Sequence, residues 1–226
     1  MENLQSTSFS PLINDSVEST SGLTINDLNK YLPALQTVDD IIMNADSMKE
    51  GIFWTEGLKG LKKIPEKSID LIITEPPKEP WINLDDRGRQ LTLQEYYDWN
   101  HEWLLEASRV LKNTGGIYLL CDWNRSNMYN GLLNDKFIIQ NRITWYNRLA
   151  KNDNQNLTWK NQSGDIWFAT KNEDFLFNNN AASLKSERRL LLNDRERKAQ
   201  TNFWFDIPAA TNKNARYSNK LYSKIL

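Results

Sequence analysis

The stretch Ser68-Ile-Asp-Leu-Ile-Ile-Thr-Glu-Pro-Pro-Lys-Glu-Pro-Trp81 constrains this chain most. Ile69, Leu71, Ile72 and Ile73 form an apolar, mostly β-branched run that stops at Glu75, Pro76 and Pro77. Apart from Asp70, Ile69 to Thr74 suit a strand buried on both faces. Two successive prolines have no N–H to donate, so the ladder must end there. A carboxylate on a stiff backbone then stands at the carboxyl end of a strand, where ligands bind in open α/β sheets. A plain strand-to-loop exit produces the same pattern, so the neighbouring stretches have to decide.

Upstream, Ile52-Phe-Trp54 reads as a short strand, and Leu58, Leu61 and Ile64 share one face of a short helix ending at Pro65. Strand, helix, strand in that order implies a βαβ unit and a parallel sheet. Residues 1–45 are rich in Ser, Asn and Thr and read as a poorly ordered or peripheral lead-in, with Thr24 able to cap a short helix. Downstream, Lys78 to Gln90 is a polar loop. Tyr96, Trp99, Trp103, Leu104, Ala107, Val110 and Leu111 then recur at helical spacing behind Thr92, with Glu95 completing a capping box. Asn113-Thr-Gly-Gly116 reads as the glycine turn that ends this helix.

Ile117 to Cys121 is a second buried strand, closing at Asp122 and Trp123. A helix over Ser126 to Leu133 and a strand or strand pair from Phe137 to Tyr146 follow. Gly164 to Thr170 is a strand, with Asp174 to Phe177 as a hairpin partner. Thr201 to Pro208 is apolar again, and Arg216 begins a helix.

Composition narrows the chemistry. With 226 residues, 39 % of them apolar, one α/β domain can bury a core. One cysteine, Cys121, excludes an internal disulfide framework and a cysteine-based zinc site, and one histidine, His101, leaves little for histidine-based metal or triad chemistry, so no metal site is expected. The lack of a signal-peptide pattern and of any long apolar run points to a cytoplasmic protein without a membrane span. The net charge of −1 is not that of a purely electrostatic DNA binder. A local basic cluster remains, however: Arg188, Arg189, Arg195, Arg197 and Lys198, a solvated loop or a phosphate-binding surface. Nine Trp residues serve packing, or in part base stacking.

The order of blocks is informative. Ile52-Phe-Trp-Thr-Glu-Gly-Leu58, then the Glu75-Pro-Pro strand, then Glu102 to Leu119 with its Lys-Asn-Thr-Gly-Gly, then Trp159 to Asn172, then Thr201-Asn-Phe-Trp-Phe-Asp-Ile207 resembles the S-adenosylmethionine-dependent DNA amino-methyltransferases of the β class. These methylate adenine N6 or cytosine N4, and in this class the catalytic strand precedes the cofactor-binding glycine motif. The resemblance implies an incomplete Rossmann-like α/β methyltransferase domain over residues 46–226, with a mainly parallel sheet and helices on both faces. It also implies double-stranded DNA as partner, in a restriction-modification setting.

An exocyclic base nitrogen is a poor nucleophile because its lone pair is delocalised, so such an enzyme flips the base out and holds it. Acceptors aimed at the amino group make the nitrogen more tetrahedral and stabilise the charge that develops on transfer. By resemblance, Glu75, Pro76, Pro77 and Lys78 occupy this motif, with Glu75 where Asp is commonest and Lys78 where the family has an aromatic residue. Trp81 is then a substitute stacking partner, or Lys78 a phosphate contact. Asp122 and Trp123 line the cleft or simply cap their strand, and Lys160 is placed near DNA. Glu56 and Lys220 match positions near the cofactor. The family's glycine loop (Pro-Phe-x-Gly-x-Gly) has no counterpart in this sequence. The cofactor site is thus expected to be incomplete and the chain inactive alone: half of a split enzyme completed by a second polypeptide, a truncated product or a degenerate copy.

Overall fold

The computed structural model describes residues 33, 35–41, 51–77, 88–146, 162–178 and 201–205. Its elements in chain order are β1 (Leu35–Gln36), a 3₁₀ turn (Val38–Asp40), β2 (Ile52–Phe53), α1 (Gly57–Lys63), β3 (Ile69–Thr74), α2 (Leu93–Val110), β4 (Leu111–Asp122), α3 (Trp123–Lys136), β5 (Ile138–Tyr146), β6 (Ser163–Thr170) and β7 (Phe203–Trp204). β3 to β7 form one sheet in the order β3-β4-β6-β5-β7. β3 runs parallel to β4 and β5 to β7, while β6 is antiparallel to both of its neighbours. Four of the five strands therefore point the same way and the sheet is mainly parallel, with β6 reversed in its middle.

The sheet separates two apolar clusters. Leu111, Ile117 and Leu119 of β4 and Trp167 and Ala169 of β6 face α2 (Trp103, Leu104, Ala107) and α3 (Tyr129, Leu132, Leu133). Leu58 and Leu61 bring α1 to the same side. Burying each such side chain contributes roughly 1.5–3 kcal/mol, so this face anchors the fold. Tyr118, Leu120, Ile143, Trp145, Ile166, Phe168 and Trp204 form the opposite cluster, with Phe175 from the segment after β6. Among the described residues the helices all pack on the first face. None of them is long and apolar enough to cross a membrane.

The helix ends follow their sequence signals. Thr92 caps α2 by accepting from the Glu95 N–H at 3.2 Å, and the Glu95 carboxylate accepts from the Thr92 N–H at 2.8 Å. Arg109 stitches α2 to α1, its guanidinium donating to the Leu61 and Ile64 carbonyls at 2.9 Å each. It thereby satisfies the Ile64 carbonyl and adds a second donor to the Leu61 carbonyl, which already accepts from the Ile64 N–H.

Three sequence expectations need correction. The strand at Ile52 does not join β3 in a βαβ unit. It pairs in parallel with β1 in a separate two-stranded sheet, and Ile52 is exposed where a sheet interior would bury it. Residues inside the 1–45 lead-in thus supply a strand. The Asn113 to Gly116 stretch lies within β4 rather than in a terminal turn of α2: Ile69 pairs with Leu111 and Leu71 with Gly116, so Lys112–Gly115 bulge out of the ladder. Gly115 allows this because a Cβ there would sit 3.0 Å from the Asp70 carbonyl oxygen.

Phe137 to Tyr146 resolves into one strand with a register shift near Gln140. Asp174 to Phe177 forms no strand, because both edges of β6 are already paired, with β4 and β5. The helix expected near Thr24 and the one starting at Arg216 lie outside the described residues.

Candidate active site

The carboxyl ends of β3, β4 and β5 meet the amino end of β6 along one edge of the sheet. β3 pairs with β4 as far as Thr74 opposite Leu119, and Glu75, Pro76 and Pro77 then leave the ladder. Pro76 is buried, whereas Glu75 and Pro77 are half-buried. β4 continues past this point along β6, pairing Cys121 with Asp165 and Asp122 with Gly164. Gly164 is required there by close approach. The Trp145 indole nitrogen fills the space where a Cβ would stand, so any side chain would displace that ring. Asp122 is the N-cap residue of α3, although its side chain makes no capping hydrogen bond. Trp123, which follows as the first residue of α3, is 59 % exposed.

Two groups that the sequence did not single out shape the edge from behind. Asp165 is 1 % exposed on β6. Its Oδ1 accepts from Arg142 Nε at 3.0 Å and from Thr144 Oγ1 at 3.2 Å, while Oδ2 is buried with no hydrogen-bond partner among the described residues. Burial, with the Asp165 charge beside it, pushes the Cys121 thiol up to about 12. Tyr96 of α2 donates its hydroxyl to the Pro77 carbonyl, gripping the turn directly. For Asp165 the sequence carries a signal, a lone carboxylate at the start of an apolar strand, whereas Tyr96 on the apolar face of α2 reads as ordinary core.

The other sequence candidates divide. Glu56 is the N-cap of α1, with one oxygen accepting from the Leu58 N–H and the other from the Lys59 N–H, both at 2.9 Å. Both oxygens thus serve the first turn of α1. His101 lies on the outer side of α2 and reaches Asp135 of α3 at 3.2 Å, which ties the two helices together. Lys78, Trp81, Lys160, Lys220 and the basic cluster around Arg188 lie outside the described residues.

Chemically, the edge offers a half-buried carboxylate on a proline-stiffened turn, a second carboxylate at Asp122 and an exposed indole, against a rigid sheet. Comparison with known proteins is consistent with that arrangement. A family model described as DNA methylase, of the N6/N4 methyltransferase type, matches residues 69–225. Type II methyltransferase M.HpaI of Haemophilus parainfluenzae is 37 % identical over 101 residues, 44 % of this chain and 32 % of its own length. DNA adenine methyltransferase YhdJ of Escherichia coli K12 is 32 % identical over 90 residues, 40 % of this chain and 31 % of its own. The chain spans about a third of the length of these relatives.

Among solved structures, PvuII DNA methyltransferase (cytosine-N4-specific) superposes with a TM-score of 0.55 at 17 % identity, over 81 % of this chain and 62 % of that one. TTHA0409 of Thermus thermophilus, solved with S-adenosyl-L-methionine, gives 0.50 at 15 % identity, over 76 % and 70 %. At these identities the superpositions establish a shared fold. The family match covers well over half the chain and includes the strand that ends at Glu75, and on that ground the chain belongs to the N6/N4 DNA methylase family.

Proposed function

We propose that this chain carries the target-base part of a site-specific DNA methyltransferase, which moves a methyl group from S-adenosylmethionine to adenine N6 or cytosine N4. The observation that carries the proposal is the Glu75-Pro76-Pro77 turn at the carboxyl end of β3, gripped by Tyr96. In this reading Glu75 accepts a hydrogen bond from the exocyclic amino group of a flipped base. A backbone carbonyl of the same turn accepts the second N–H. The two acceptors draw the lone pair out of conjugation and stabilise positive charge on nitrogen. Once nitrogen is alkylated it sheds one proton, which Glu75 is placed to receive. Trp123, exposed at the edge, offers a stacking face where Lys78 replaces the family's aromatic residue. S-adenosylmethionine supplies the methyl group. The family's glycine motif is not among these 226 residues, so in this reading they need a polypeptide segment that carries it in order to transfer methyl.

The test uses purified chain, labelled S-adenosylmethionine and mixed-sequence double-stranded DNA, with and without a polypeptide carrying the family's glycine motif. Label should enter DNA only with that polypeptide, and Glu75→Ala should reduce incorporation at least about 10²-fold. Incorporation by the chain alone sinks the prediction of inactivity. DNA retention without methyl transfer, even after complementation, supports the alternative to which Lys78 points: a non-catalytic DNA-binding or regulatory subunit derived from a methyltransferase.

A further inference from the structure

Pro76 and Pro77 have no N–H, so these two residues offer the backbone only acceptors just where β3 leaves its ladder. A donor reaches one of those acceptors from α2. Tyr96, 1 % exposed, donates its hydroxyl to the Pro77 carbonyl. Behind it lies a closed set of buried polar groups. The Tyr129 hydroxyl of α3 is 3.1 Å from the Tyr96 hydroxyl and 3.0 Å from Asn100 Oδ1. Trp103 Nε1 donates to the same Asn100 oxygen at 2.9 Å, and Asn100 Nδ2 donates to the Tyr96 carbonyl at 2.8 Å.

Proton bookkeeping gives this cluster a direction. Asn100 Oδ1 and the Pro77 carbonyl only accept, and the two phenols bring two protons to three oxygen–oxygen contacts. Asn100 Oδ1 has two lone pairs and takes both the Trp103 and the Tyr129 protons, while Tyr96 gives its proton to the Pro77 carbonyl, so each donor is committed to one acceptor. Burial, with Tyr96 beside it, pushes the Tyr129 hydroxyl well above its ordinary value, which keeps it a donor. Burying an amide and two phenols is costly unless they are bonded to one another, and here they converge on one carbonyl of the site.

We infer that Tyr96, oriented by Tyr129 and Asn100, is the positioning residue of the Glu75 site: it locks the Pro77 carbonyl and through it the direction of the Glu75 carboxylate. The catalytic meaning of this lock rests on the methyltransferase reading, whereas the lock itself does not. A misplacement of about 1 Å at a reacting group can cost about 10²-fold in rate.

Tyr96→Phe keeps the ring stacked on Trp99, with centroids 6.1 Å apart, and deletes only the hydroxyl. In isotope-labelled full chain, the Lys78 amide reports the carbonyl carbon shift of Pro77. Tyr96→Phe should move that carbonyl upfield more than any other proline carbonyl. It should also lower the Glu75 amide order parameter from about 0.85 toward 0.6. Tyr129→Phe should shift the same carbonyl in the same direction by less, and it carries the test should Tyr96→Phe fail to fold. An unchanged Pro77 carbonyl in the folded variant overturns the proposal.

In the complemented methyl-transfer assay, Tyr96→Phe should lower kcat about 10- to 10²-fold with KM for DNA unchanged. An unchanged kcat, or a loss in KM alone, also overturns it. If the wild type transfers no methyl under any condition, the methyltransferase reading falls and the Pro77 carbonyl still decides the lock.

Discussion

Cys121 lies on β4 opposite Asp165, at the boundary between the helix-side core and the candidate active site. Burial is the larger reason its thiol is pushed up to about 12, and the Asp165 charge adds to it. A thiol held that high is a poor nucleophile, since only the thiolate reacts. Iodoacetamide at pH 8 should therefore label native Cys121 on the order of 10³ slower than the unfolded chain, as read by mass spectrometry over time. The linkage sign follows: the folded state prefers the protonated thiol, so this group's contribution is intact below the ordinary value of 9.0 and is lost as pH rises above it. Equal labelling of native and unfolded chain would contradict the burial. The same neighbourhood shows what single residues reveal in a sequence. Glu75 was legible because two prolines end a ladder whatever surrounds them. Tyr96 was not, because an apolar-face tyrosine reads as core, and only the structure shows its hydroxyl meeting Pro77. Asp165 reads as the second residue of an apolar strand, and a carboxylate this deep must be held by partners, here Arg142 and Thr144.

At the scale of elements, α2 carries the site's support and begins with a cap readable from sequence. Arg89 and then the Thr92 backbone and side chain hold the Glu95 carboxyl down to about 2, well below its ordinary 4.5. A depressed carboxylate favours the charged folded state, so its contribution is complete above 4.5 and disappears as pH falls toward 2. The amides of Thr92 to Tyr96 should lose exchange protection over that window. Glu95→Gln should flatten the pH profile while keeping an acceptor for the Thr92 N–H. Profiles of equal steepness in wild type and variant would remove Glu95 as the cause. Caps and helix faces are local, which is why α2 was readable from Thr92 to Val110. Pairing is not local. Nothing in Ile52-Phe-Trp54 says that its partner lies at Leu35–Gln36 rather than in β3, and nothing in Gly164 to Thr170 says that both of its edges are taken.

At the scale of the molecule, that pairing sets where stability resides. β4 is flanked by β3 and β6, and β6 by β4 and β5, so these two strands carry rungs on both edges. Ile117, Leu119, Ile166 and Ala169 on them are fully buried, and both apolar clusters rest on these strands. β1 and β2 share two residue pairs in a sheet of their own, with Leu35 and Ile52 exposed. Among the described residues β3 has a single partner strand, and the turn bearing Glu75 lies beyond its last rung. Native-state hydrogen exchange in low denaturant should therefore separate three levels. The amides of Ile117 to Leu120 and Ile166 to Ala169 should exchange only through global unfolding, at about 5–15 kcal/mol. The amides of β3 should open at intermediate cost, and those of β1 and β2 by local opening nearest zero. If the β1–β2 amides merge with β4 and β6 at the global value, the two sheets unfold as one unit and this hierarchy is wrong. If the hierarchy holds, the candidate active site hangs from an edge strand of the main sheet, paired on one side only. Its precision must then come from the side, which is where Tyr96 grips it.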